Sequence, residues 1–179
     1  TAYEIMPSLV GAEMCIRDRS KEETMFEWLE TTTPAIWVGE SLWGYPIMLG
    51  CHVVGLATAV GIFMVRDLRL IGFLEGISYE SLDSLRNLGW TGFVINAISG
   101  CFLFTSQATV FIDSTPFLLK ISMIFLAAIL AAVIQNRMRD AAADWDGSGA
   151  VAGNVRIIAI ASSALWIGAI ISGRLVAYI

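Results

Sequence analysis

Long apolar runs separated by short clusters of charge set the pattern of this chain. Residues 41–65, 87–112, 114–136 and 157–179 carry no charge, or a single charge near one end. A helix needs about 20 apolar residues to cross about 30 Å of hydrocarbon. Each run meets or nearly meets that length, so the pattern predicts transmembrane helices over residues 45–65, 90–112, 117–136 and 155–178. Pro46 suits the first turn of the first span. The run Asp113-Ser114-Thr115-Pro116 reads as the turn before the third, and residues 140–154, rich in Gly, Ala and Asp, read as a loop.

Residues 21–44 are acidic and aromatic, with Glu22, Glu23, Glu27, Glu30 and Glu40 among Phe26, Trp28, Trp37 and Trp43. Tryptophan favours the headgroup level, where its ring is apolar and its N–H finds a partner. Two short interfacial helices lying along the bilayer are expected here. The predicted fold is therefore all-α: an integral membrane four-helix bundle, residues 45–179, with N-terminal interfacial amphipathic helices. Small residues at Gly55 and Ala59, Gly92 and Ala97, Ala127 and Ala131, and Gly168 and Ser172 would let the spans approach closely.

Composition agrees with the pattern. The chain is 56% hydrophobic and 15% charged, against about 25% charged in a soluble domain. A net charge of −5 without a basic stripe argues against a nucleic-acid partner. Cys15, Cys51 and Cys101 form no CxxC pair, so neither a zinc ribbon nor covalently attached haem is indicated.

Arg66, Arg69 and Arg86 follow the first span, and Arg137, Arg139 and Arg156 follow the third. The positive-inside rule then places both long connections in the cytoplasm of a bacterial inner membrane, with both termini periplasmic. The run IMPSLVGAEMCIRDRS at residues 5–20 resembles translated sequencing-adapter read-through. Residues 1–20 are accordingly set apart as an expected artefactual leader, with residues 21–44 as the periplasmic interfacial segment.

Polar residues inside lipid carry the candidate chemistry. His52, the single histidine, sits about 10 Å inside the outer edge of the first span at about 1.5 Å per residue. Gly55 and Ala59 on its face leave a shallow groove of the kind a haem plane needs. An imidazole is a common haem ligand; a histidine hydrogen-bonded across the bundle to Ser or Asn is the alternative. Lys120 and Arg174 fall about one turn inside the outer ends of the third and fourth spans, at similar depth. Buried cations need anions. Haem propionates, Glu40, Asp113, a quinone or a lipid headgroup would serve, and snorkelling to the interface is the other outcome. Met123 lies one turn from Lys120 and is a candidate second axial ligand or a packing residue. At the inner end Asp67 is the residue expected to fix the exit of the first span, by bridging Arg66, Arg86 or a helix terminus.

The runs ESLWGYP (Glu40 to Pro46), CHVVG (Cys51 to Gly55) and DLRLIG (Asp67 to Gly72) together resemble a bacterial inner-membrane family of unknown function. Further likeness lies at WTGF (Trp90 to Phe93), FLLK (Phe117 to Lys120) and SGR (Ser172 to Arg174). The resemblance implies four transmembrane helices with a histidine in the first. A more distant similarity, to b-type cytochrome and copper-resistance membrane bundles, is one of fold alone. One histidine rules out bis-His ligation within a single chain.

The leading expectation is a small inner-membrane protein binding b-type haem near the periplasmic side. His52 would ligate iron with Met123 as a candidate second ligand, and Gly55, Lys120 and Arg174 would line the site. It would serve electron transfer or redox sensing, with a quinone or redox partner, as a homo-oligomer or part of a larger membrane complex. The alternatives are a cofactor-free scaffold subunit and a small transporter component. No catalytic motif is present.

Overall fold

The computed structural model describes residues 25–148 and 151–176. The leader expected over residues 1–20 lies outside the described residues. Among those described there is no strand. Residues 25–30 form α1, followed by α2 (Thr33–Glu40), α3 (Gly44–Ile71), α4 (Tyr79–Ser84), α5 (Arg86–Thr105), α6 (Ala108–Ile112), α7 (Thr115–Ser148) and α8 (Gly153–Leu175). Four helices are long and apolar enough to span a membrane: Gly44–Ile71, Tyr79–Thr105, Thr115–Ala141 and Gly153–Leu175. The protein is an all-helical bundle with a lipid environment around it.

Local chemistry sets the ends of these helices. Pro34 sits in the first turn of α2. Pro46 and Pro116 lie in the first turns of α3 and α7, where no N–H is missed. The α3 helix stops at Gly72, whose φ of 107° closes the last turn by donating its N–H to the carbonyls of Leu68 and Arg69. Only glycine adopts that left-handed geometry freely. The Ser78 hydroxyl caps α4 by accepting from the Ser81 N–H.

Three expectations about boundaries are revised. The first span runs on to Ile71, so the Arg66–Arg69 corner is helix rather than exit loop. The second span breaks after Thr105, because Gln107 leaves helical geometry (φ −149°, ψ 44°) and a separate α6 begins. Glu30 supports that break: its carboxylate accepts from the Thr109 N–H at 2.9 Å and hydroxyl at 2.8 Å, near the start of α6. The expected loop at 140–154 is largely helix, since α7 continues to Ser148. Tertiary contacts hold it there. Trp145 is buried edge-on against Tyr79 at 5.7 Å. The Asp146 carboxylate accepts from the Tyr79 and Glu80 N–H groups at 2.9 and 3.2 Å.

The spans associate as two pairs, α3 with α5 and α7 with α8, joined chiefly along α3 and α8. At one point of the α3–α5 crossing the backbones touch. A Cβ at Gly55 would lie 2.7 Å from the Asn96 nitrogen, and one at Gly92 would lie 3.0 Å from the Gly55 oxygen. Two hydrophobic clusters follow along the axis. The central one gathers Ala59, Val60, Phe63, Ala127, Ala131 and Trp166, with Phe63 stacked on Trp166 at 5.7 Å. The second, at the end carrying α4, packs Leu70, Tyr79, Leu82, Ile134, Met138, Trp145, Val155 and Ala159. Neither cluster reaches the end carrying α2 and α6. That end is closed instead by half-buried rings, with Phe104, Phe111 and Phe117 stacked at 5.1–6.4 Å and Phe26 edge-on to Phe104.

Candidate functional site

Between the Phe104–Phe111–Phe117 stack and the Phe63–Trp166 stack lies a layer with polar side chains from all four spans. α3 supplies His52, α5 supplies Asn96 and Ser99, α7 supplies Lys120, and α8 supplies Ser172. Their register places them together along the axis: His52 is three turns from Phe63, Asn96 one turn from Phe93, Lys120 one turn from Phe117 and Ser172 under two turns from Trp166.

His52 is fixed to α5. Its Nδ1 lies 3.0 Å from the Asn96 carbonyl oxygen and 3.3 Å from Ser99 Oγ. A backbone carbonyl only accepts, and Ser99 already donates to the Ile95 carbonyl at 2.6 Å. Asn96 Nδ2 also lies 3.2 Å from Nδ1 but gives its hydrogen to the shorter contact with the His52 carbonyl, so the bond to the Asn96 carbonyl assigns the proton to Nδ1. Asn96 completes the link by donating its Nδ2–H to the His52 carbonyl at 2.8 Å. This tautomer leaves Nε2 with a lone pair and, among the described residues, no hydrogen-bond partner. The ring is half-buried.

Lys120 is also half-buried. Its stem lies along α8 where Gly173 gives it room: a Cβ at Gly173 would stand 3.2 Å from the Lys120 Cδ. Among the described residues its ammonium has neither ion pair nor hydrogen bond. The expected alternatives Glu40 and Asp113 are both exposed.

The other expected site residues each have contacts of their own. Gly55 is buried, but the α5 backbone fills the groove beside it. Met123 turns its sulfur to α8, against Gly168, and accepts from Ser172 Oγ at 3.9 Å. Arg174 is exposed in the last turn of α8. His52 and Lys120 thus lie in one layer with Met123, which meets Ser172 there, while Arg174 is exposed in the last turn of α8. Among the described residues no cluster of three His, Cys, Asp or Glu side chains could hold a metal.

A second polar group appears on the α4 side of the central cluster. Arg66 and Asp67 are both buried and paired, with Arg66 Nη2 and Nε donating to Asp67 Oδ1 at 2.7 and 2.9 Å. Arg66 Nη1 reaches across to the Ala131 carbonyl of α7 at 3.1 Å, and its guanidinium lies over the Phe63 ring. Asp67 does bridge Arg66, one of the alternatives expected for it. What sequence reasoning missed is the depth. A charge cluster near a span end reads as a solvated anchor unless the helix is known to continue beyond it.

Neither a protein family, nor a curated protein, nor a solved structure matches this chain. The likeness read at Glu40–Pro46 and Asp67–Gly72 therefore adds no activity. Function has to be argued from the two polar groups themselves.

Proposed function

We propose that this small membrane protein binds b-type haem in the His52–Lys120 layer and serves electron transfer or redox sensing within a larger assembly. One observation carries the reading. The proton on Nδ1 is held by a backbone carbonyl, which orients the ring and leaves Nε2 as the ligating atom. Metal-bound histidines are oriented in this way by their outer partners. Lys120 supports it as an unpaired ammonium at the right level for a propionate. Bound haem would supply a one-electron couple, and the chain's part is to orient the imidazole, to supply a counter-charge and to exclude water with the phenylalanine rings. Met123, whose sulfur takes a contact from Ser172 at 3.9 Å, would remain the candidate second ligand within one chain.

The test is an absorption spectrum, oxidised and reduced, of the chain purified from haem-replete cells. A Soret band lost in His52→Ala and weakened in Lys120→Met is expected. A preparation without a Soret band would overturn the proposal.

The bonds from His52 to Asn96 and Ser99 favour a second reading, that of a cofactor-free scaffold subunit in which the imidazole only fastens α3 to α5. Under it, His52→Ala lowers stability in detergent and no wavelength of the visible spectrum changes.

A further inference from the structure

A cavity of about 580 Å³ opens at the end of the bundle carrying α2 and α6. α6 bounds it with Val110, α7 with Leu119, and the end of α8 with Leu175 and Val176. Its size falls among those of ligand sites, roughly 300–1,000 Å³. The break after Thr105 sets the place of α6, which is a helix of its own, and Glu30 holds its start through Thr109.

Polarity is graded along this cavity. Asp113, Ser114 and Thr115 stand at its edge, in the turn that leads into the third span, where the headgroups of a bilayer lie. Leu119 is one turn deeper. Leu119 and Leu175 both belong to spans and are 48% and 45% exposed, so the cavity opens sideways towards lipid. The polar side chain on the α8 wall, Ser172, is turned to Met123.

An occupant has to match both parts. The apolar walls suit a hydrocarbon chain. Asp113 is the only charged residue on the lining among the described residues, and there its carboxylate has neither hydrogen bond nor ion pair. A carboxylate at the edge attracts a cationic headgroup and repels an anionic one. A primary ammonium brings three N–H donors to that carboxylate, whereas a quaternary ammonium of equal charge brings none. The Ser114 and Thr115 hydroxyls beside it can donate to phosphate oxygens.

We propose that this cavity is a binding site for a phospholipid with a primary amine headgroup, of the phosphatidylethanolamine type. One acyl chain lies against Val110, Leu119 and Leu175, and the ammonium pairs with Asp113. The site is independent of haem at His52, because neither His52, Met123, Lys120 nor Arg174 lines the cavity.

Native mass spectrometry decides this, with the full chain released from nanodiscs of equal parts phosphatidylethanolamine, phosphatidylcholine and phosphatidylglycerol. The protein is expected to retain phosphatidylethanolamine about 2- to 5-fold over either competitor, the selectivity that one exposed ion pair supports. Asp113→Asn should abolish that preference. Leu119→Trp, which fills the cavity from its wall, should do the same without touching the charge. Both positions are exposed, so neither change endangers the fold. Phosphatidylcholine or phosphatidylglycerol retained as well as phosphatidylethanolamine, or a preference unchanged by either substitution, would overturn the proposal.

Discussion

The two polar groups of this bundle differ in how completely the fold encloses them. Around Asp67 the charges are fully buried, tied to each other and to α7, and lie between two hydrophobic clusters. Around His52 the groups are half-buried, no hydrophobic cluster surrounds them, and one cation is unpaired among the described residues. Within lipid there is little hydrophobic force between helices, so packing and hydrogen bonds hold a bundle together. The α4 half has both, plus a continuation of α7 that folds back on α4 through Trp145 and Asp146. The α2 half has His52 and Lys120 only half-buried. Tight and looser enclosure are thus separated along the axis, with the Phe63–Trp166 stack between them.

The largest effect should come from breaking the enclosed pair. Asp67→Ala leaves the Arg66 guanidinium buried and unpaired, which costs about 3–5 kcal/mol. Denaturant titration in bicelles should record that loss. Replacing both residues, Arg66→Met with Asp67→Leu, should recover most of it, because no charge is then stranded. If the single and double substitutions are equally destabilising, the pair is not what makes the α4 half rigid.

Next in size is the α3–α5 contact, which borders the His52 group. A methyl at Gly55 would stand 2.7 Å from the Asn96 nitrogen and 2.8 Å from the Gly92 oxygen, and backbone atoms cannot swing aside. Gly55→Ala must push α5 away, at a cost of about 1–3 kcal/mol. Because Asn96 and Ser99 move with α5, the same change should loosen His52. A methyl added at Gly61, also on α3, would meet nothing within 4 Å. Gly61→Ala should therefore leave stability unchanged or slightly raised in the same titration.

Which parts of this were legible in advance follows from the physics of each signal. Four spans were, because crossing hydrocarbon demands length and apolarity that no other feature imitates. His52 and Lys120 were legible as polar groups in lipid. Their partners were not, since helix rotation decides whether Gly55 opens a groove or receives a neighbouring backbone. Rotation is set by packing between helices distant in sequence. The helix over 140–148 was hidden for a similar reason: Gly, Ala and Asp signal a loop locally, while Trp145 and Asp146 gain partners on α4 only once the chain has folded. Arg66 and Asp67 look like an interfacial anchor because the uncharged run ends at Val65. The burial of the pair comes from α7 and α8, which no local pattern near residue 66 announces.

The smallest expected effect is the one that sharpens the comparison most. Asn96→Ala removes one bond to the His52 carbonyl and leaves the Nδ1–H bond to the residue's own backbone oxygen in place. Interhelical hydrogen bonds in membranes contribute about 0.6 kcal/mol on average, so the loss in the bicelle titration should be of that order, well below that of Asp67→Ala. The ring, however, loses a neighbour that restrains its tilt. If His52 is a ligand-bearing group, Asn96→Ala should alter the spectrum of a haem-loaded sample far more than it alters stability. If His52 is only a fastener between α3 and α5, the same substitution should move stability alone. The two ends of the bundle would then differ in degree of packing and not in purpose.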